Sequence, residues 1–263
     1  MDARPFHHRL SLRFDADALA ADVARIGPEE WIPHFNVHHH DGGWSGVALR
    51  APGGDATKIY PDPDAPLAYA ATSVLARCPA AQVALAALRC PVGSARFLRL
   101  APGSRIREHR DYDLAFADGE IRLHIPVTTD PEVEFVLAGE RIDLRAGECW
   151  YLDVNQRHRV ENRSERERVH LVVDCAVDEW LAAQLPDALT AAASEARVAF
   201  EAFRARVLAE PSLQQALVEE TADRAQFVPR VVRRGRAEGF DFGAPEVLEA
   251  LREGRRSRIL RWL

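Results

Sequence analysis

Apolar and polar positions alternate in steps of two over the middle of the chain and in steps of three and four towards its end. From Ala95 the alternation runs through Phe97, Leu98 and Leu100 to a Pro102-Gly103-Ser104 turn, then through Ile106 to His109. It returns over residues 121–127, 133–137, 141–144, 149–152 and 169–173, with Ala138-Gly139-Glu140 and Ala146-Gly147 as turns. Alternation of this kind sends successive side chains to opposite faces of a strand. Short strands at close spacing, with no helical stretch between them, predict an antiparallel barrel or jelly roll that encloses a small-molecule pocket. An earlier strand is expected over residues 44–50, between Gly42-Gly43 and Pro52-Gly53-Gly54. Residues 10–26 read as a strand and then a helix stopped by Gly27-Pro28, and 67–88 as one or two helices interrupted at Cys78-Pro79.

Beyond Asp174 the period becomes helical. An alanine-rich, charged run over 191–210 places Val198, Phe203 and Val207 at helical spacing, and a second helix starts at Pro211-Ser212. A third spans 223–238, with Pro229 as a kink site and Gly239 as its stop, and a fourth starts at Pro245 and carries Val247, Leu248 and Leu251. The expected organisation is a β domain with an N-terminal helical cover over 1–178 and a helical domain over 179–263.

Composition narrows the class. With 263 residues and 47% apolar content the chain can bury a sizeable core. A net charge of -6, from 34 basic and 40 acidic side chains, gives no field for wrapping a polyanion, so nucleic acid is not expected as a partner. No apolar run has the length of a signal peptide core or a membrane span, so a cytoplasmic protein without membrane association is expected. Cys78, Cys90, Cys149 and Cys175 lie far apart and read as buried thiols. The run His38-His39-His40 cannot turn three neighbouring side chains to one ion, and reads as a surface loop. The arginines at 233, 234, 236, 252, 255, 256, 258 and 261 read as solvated helix faces.

The candidate chemistry lies between His109 and His170. His109 and Asp111 share one strand face, and His158, just after a turn, supplies a third donor. Two imidazoles and a carboxylate on one face of an octahedron leave three positions open, which suits a non-haem Fe(II) oxygenase. Zinc more often takes a closed tetrahedral set or three ligands and one water. Arg122 and His124 share a face, as do Arg168 and His170. Buried and unpaired, such a face is costly, and two guanidinium groups would grip a dicarboxylic acid at both ends. 2-Oxoglutarate is the ligand that fits an iron site with two arginines, and a solvent-facing polar strand fits the spacing equally well. Trp44, Arg50 and Asn155 are candidate substrate contacts, Trp44 and Arg50 being equally suited to core or edge packing.

The ordered set of pieces carries a resemblance. Residues 96–111 (Arg-Phe-Leu-Arg-Leu-Ala-Pro-Gly-Ser-Arg-Ile-Arg-Glu-His-Arg-Asp), Arg122-Leu-His124-Ile-Pro, Gly147-Glu-Cys-Trp-Tyr-Leu-Asp153, Arg157-His158 and Arg168-Val-His170-Leu-Val-Val-Asp174 resemble the aspartyl/asparaginyl beta-hydroxylase family, which includes bacterial proline cis-4-hydroxylases. The resemblance covers about residues 40–176. It implies a double-stranded β-helix that binds Fe(II) and 2-oxoglutarate, uses O2 and releases succinate and CO2 while hydroxylating an unactivated carbon. It also implies His109, Asp111 and His158 as iron ligands, Arg168 on the far carboxylate of 2-oxoglutarate, and Arg122 with His124 near the acid end at the metal. Asp113 is a nearby carboxylate whose spacing departs from the family motif, and a serine that some members place upstream of the first ligand is Leu98 here.

In the tail, Glu210-Pro-Ser-Leu213, Gly239-Phe-Asp-Phe242 and Pro245-Glu-Val-Leu248 resemble the Nif-eleven type of small helical domain, a leader region in precursors of ribosomally made peptides. That implies peptide docking through the C-terminal helices, and an ordinary helical cap is the rival. The expected activity is hydroxylation of an amino-acid side chain. Aspartate or asparagine at the β-carbon in a peptide or protein comes first, then a free amino acid of the proline type. A non-catalytic cupin-like binding or sensor protein is the rival class.

Overall fold

In the computed structural model, described for residues 6–34, 40–60, 68–111, 114–219, 227–244, 246, 247, 250 and 251, the alternating segments form antiparallel strands. In chain order they are β1 (His7–Arg13), β2 (Ile32–Pro33), β3 (Trp44–Pro52), β4 (Tyr69–Ala71), β5 (Val92–Leu100), β6 (Arg105–His109), β7 (Glu120–Thr128), β8 (Val133–Leu137), β9 (Glu140–Ile142), β10 (Glu148–Leu152), β11 (His158–Asn162) and β12 (Arg168–Ala176). Helices α1 (Ala16–Val23) and α2 (Pro79–Ala87) precede or interrupt them; α3 (Glu179–Ala182), α4 (Asp187–Ala209), α5 (Pro211–Glu219) and α6 (Phe227–Ala237) follow. The larger sheet has the order β1-β10-β7-β12-β5-β3-β2 with β4 on β3, and the smaller has β6-β11-β8-β9. This is a double-stranded β-helix, mainly β with helical additions.

Strand β12 is buried with its polar residues Arg168, His170 and Asp174 included. It pairs with both β5 and β7, and its residues from Arg168 to Cys175 are buried. The apolar cluster of the jelly roll brings together Leu100 of β5, Ile106 of β6, Phe135 and Leu137 of β8, Leu152 of β10 and Val160 of β11. Ala138 and Gly139, with φ of 52 and 86, close the β8–β9 hairpin in the left-handed backbone region that tight two-residue turns require. Asp15 caps α1 by accepting from Ala18 N at 2.9 Å. The buried Asp22 of α1 accepts from Ala81 N of α2 at 2.8 Å, which ties the two helices.

The chain divides into two compact units, Met1–Ala115 with Glu120–Pro186, and Phe116–Gly119 with Asp187–Leu263. In the second, Phe203, Leu213, Val231 and Phe242 form a separate apolar cluster. Gly239 ends the α6 region at φ +87, and the ring of Phe242 lies where a Cβ on Gly235 would sit. Residues 245, 248 and 249 of the expected fourth helix lie outside the described residues.

Three details differ from the sequence expectation. Residues 69–71 form a strand rather than a helix, because backbone pairing with β3 at residues 50–52 outweighs the alanine-rich local preference. The strand expected over 141–144 ends at Ile142. Pro229 stands in the first turn of α6, where its missing N–H has no intrahelical partner to lose, so it does not kink an interior. Among the described residues no helix is long and apolar enough to cross a membrane.

Candidate active site

Register across the smaller sheet makes the centre. His109 at the end of β6 stands opposite His158 at the start of β11. Asp111, just beyond β6, is held by its backbone N–H to Val154 O at 2.9 Å. One donor atom each from His109, Asp111 and His158 lies within 4.8 Å of the others. Each imidazole has its proton fixed by the main chain. The Nδ1–H of His109 donates to Arg107 O at 2.8 Å, and that of His158 to Gln156 O at 3.0 Å, because a carbonyl oxygen only accepts. Both rings therefore keep Nε2 as the basic nitrogen, the tautomer a metal ligand needs. Burial, with His109 next to it, pulls His158 down to about 4, so that the ring is neutral near pH 7. Burial raises the Asp111 carboxyl, but Arg122 and the two histidines outweigh it and hold the group below its ordinary value.

All six residues expected at the site line one cavity of about 400 Å³: His109, Asp111, His158, Arg122, His124 and Arg168. Arg122, His124, Arg168 and His170 are all buried, which excludes the solvent-facing strand. Phe135 stacks on His158 with ring centroids 6.1 Å apart and meets His124 edge-on at 5.8 Å, joining the two ends of the cavity.

Those ends differ in charge. At the metal end Arg122 binds Asp111 and also donates from Nε to Asp174 Oδ1 at 2.7 Å and from Nη2 to Oδ2 at 3.2 Å. Arg96 Nη1 donates to the same Asp174 at 2.9 Å and to Ser94 Oγ at 2.7 Å. Burial would raise the Asp174 carboxyl, yet Arg122 and Arg96 hold it down at about 2. At the other end Arg168 has no carboxylate among its described ion-pair partners; its Nη2 donates to His170 Nδ1 at 2.8 Å and its buried Nε finds no acceptor. Burial alone pulls its guanidinium down to about 9. Among the described residues the buried Nε2 atoms of His124 and His170 also lack partners, and His124 Nδ1 lies 3.3 Å from His170 Nδ1. A buried polar group left unpaired costs about 1–3 kcal/mol, a cost that acceptor atoms of an entering acid would relieve.

The candidate substrate contacts separate. Trp44 lines the cavity, its ring 6.3 Å from that of His109 and stacked at 3.4 Å on His34, and its buried Nε1 has no partner among the described residues. Arg50 is not brought there: its guanidinium donates to the carbonyls of Tyr69, Val92 and Gly93. Asn155 lies in the turn before β11, where its Oδ1 accepts from Leu114 N at 3.2 Å. Asp113, His38 and His39 lie outside the described residues. His40 is buried rather than on a surface loop: Gly42 N donates to its Nδ1 at 3.0 Å, and its Nε2 lies 3.1 Å from His34 O. The sequence reading passed over Asp174. Its signal was there, since it continues the even-numbered face of Arg168 and His170 on β12.

A double-stranded β-helix with two histidines and a carboxylate on one face, beside an unpaired buried arginine, is the arrangement of a 2-oxoglutarate-dependent non-haem iron oxygenase. The chain belongs to the aspartyl/asparaginyl beta-hydroxylase family, whose sequence model matches residues 11–177. It is a dioxygenase of the hydroxylating kind, using Fe(II), 2-oxoglutarate and O2. The donor set and the unpaired Arg168 fit that metal and that acid. Similar solved structures include a prolyl-4-hydroxylase of Pseudomonas putida, at 18% identity over 66% of this chain and 93% of that one, with a TM-score of 0.41. A 2OG-Fe(II) oxygenase family oxidoreductase of Burkholderia pseudomallei is 16% identical over 65% of this chain and 85% of that one, with a TM-score of 0.43. No curated protein sequence matches.

Proposed function

We propose that this enzyme hydroxylates the β-carbon of an aspartate or asparagine side chain in a peptide or protein. The observation that carries the iron and acid assignments is the single cavity in which the His109–Asp111–His158 cluster faces the unpaired Arg168. The name of the family supports the substrate class.

In this reading His109 Nε2, Asp111 and His158 Nε2 hold Fe(II), and Arg168 binds the far carboxylate of 2-oxoglutarate. Arg122 and His124 flank the acid end at the metal. When bound, Fe(II), 2-oxoglutarate and O2 together supply the oxidising equivalent that places one oxygen atom in a substrate C–H bond. The protein's share is orientation. Main-chain carbonyls lock the two imidazole tautomers, Asp174 and Arg122 hold Asp111 in place, and buried walls exclude water from the acid pocket. Trp44, at the His109 side, is the proposed substrate contact.

The helical unit bears an apolar groove of about 620 Å³ lined by Phe203, Val207, Leu208, Leu217, Phe227 and Val231. We assign peptide docking to it, because Leu208 is exposed at its edge although large and apolar. The test is a screen of Asp- and Asn-containing peptides against free amino acids, read as a mass gain of one oxygen with matching succinate. Asp111→Ala is expected to abolish coupled turnover, and full retention would refute its assignment to iron. Leu208→Asp is expected to weaken turnover of peptides only; an equal loss on free amino acids would refute docking at the groove.

A further inference from the structure

The hydrogen bond between Arg168 and His170 fixes more than the position of the arginine. A guanidinium carries donors and no acceptor, so Arg168 Nη2 must give the proton in its 2.8 Å contact and His170 Nδ1 must receive it. Burial and the neighbouring Arg168 charge keep the His170 ring neutral. A neutral imidazole whose Nδ1 accepts carries its proton on Nε2. That Nε2–H is buried within a residue only 1% exposed, and it has no partner among the described residues. His170 is therefore the reverse of the two ligand histidines, which carry their protons on Nδ1.

Arg168 Nε–H and His170 Nε2–H are thus two unanswered donors on side chains joined by a hydrogen bond. Both residues line a second cavity of about 340 Å³, and Arg168 and Phe135 line this one and the metal cavity alike. His170 faces Leu98 across β5, which offers it no polar atom in its side chain. Two N–H donors on residues that line one cavity, one of them a guanidinium without a carboxylate partner among the described residues, match the two oxygens of a carboxylate.

We infer that His170 Nε2–H is a second donor to the far carboxylate of 2-oxoglutarate, alongside Arg168. This rests on the assignment of Arg168 given above. His170 then has two roles, its Nδ1 holding Arg168 and its Nε2 touching the ligand.

The test uses the full chain loaded with Mn(II) in place of iron, and calorimetry with 2-oxoglutarate and with 2-oxopentanoate, which has the same chain length but a methyl group where the far carboxylate stands. His170→Asn keeps an acceptor near the Nδ1 position and removes the distal donor; His170→Gln keeps a donor near Nε2. A hydrogen bond to a charged group is worth enough for roughly a tenfold change in Kd. His170→Asn is expected to weaken 2-oxoglutarate by that factor, leaving 2-oxopentanoate unchanged, and His170→Gln to restore most of the loss. Wild-type affinity in the Asn variant, or an equal loss for both acids, would overturn the inference. Arg168→Met separates the two assignments. If it erases the preference for 2-oxoglutarate while His170→Asn does not, only the role of His170 fails; if it leaves the preference intact, the assignment of Arg168 fails too. Should neither His170 variant fold, the unsubstituted protein still answers through its imidazole nitrogen resonances. His170 is expected in the Nε2–H form, with that proton moving downfield on adding 2-oxoglutarate and not 2-oxopentanoate. An Nδ1–H form, or no movement, would overturn the proposal.

Discussion

Two arginines reach into one cavity and are treated in opposite ways. Arg122 sits in a closed chain of charge, Arg96–Asp174–Arg122–Asp111, in which each guanidinium meets a carboxylate. Arg168 is as deeply buried, with only a neutral imidazole against it. The first end is finished by the protein itself. The second has no carboxylate from the described residues, and under the proposed assignment the difference separates a residue that holds the site together from one that holds what enters it.

The comparison can be broken most forcefully at Asp174. Replacing it with alanine strands two buried guanidinium groups, and removing one partner of a buried pair typically costs about 3–5 kcal/mol. Chemical denaturation of Asp174→Ala should show a loss of that order. A change under about 1 kcal/mol would mean that the chain of charge is not structural.

Arg168→Met should do the reverse. An unpaired buried charge gives way to an apolar side chain of similar reach, so stability should hold or rise, while the affinity for 2-oxoglutarate falls on the order of 100-fold. Calorimetry and denaturation on the same preparation check both halves. A large loss of stability would erase the distinction between the two ends.

The smallest effect is in acid. Asp174 is held at about 2 against an ordinary value of 3.8. A depressed carboxyl contributes fully above its ordinary value, and that contribution drains away as pH falls from about 3.8 through about 2. About 2 kcal/mol should be lost across that window. Asp174→Asn should flatten this limb of the stability curve, and an unchanged limb would place the sensitivity elsewhere.

Much of this was legible in the chain because strand geometry is periodic. Residues two apart share a face, so His109 with Asp111, Arg122 with His124 and Arg168 with His170 could be grouped before any coordinates were known. Asp174 escaped because three apolar residues separate it from His170, and a run that apolar reads as core. The choice between substrate contact and packing for Arg50 was not legible: its carbonyl partners at residues 69, 92 and 93 are remote in sequence, and carbonyls leave no mark in it. The tautomers were likewise hidden, since a ring's proton is set by what its other nitrogen touches. The brief strand at Tyr69–Ala71 shows tertiary pairing overriding local alanine preference.

The position of β6 in its sheet has a kinetic meaning. Carrying His109, it is an outer strand of the smaller sheet and pairs there with β11, whereas β12, carrying Arg168 and His170, is flanked on both sides by β7 and β5. Local opening reaches outer strands at lower free energy than inner ones. Amide exchange should therefore be fast along β6 and slow along β12. Under the assignments proposed above, fraying of β6 would loosen His109 alone, while β12 with Arg168 and His170 stays folded.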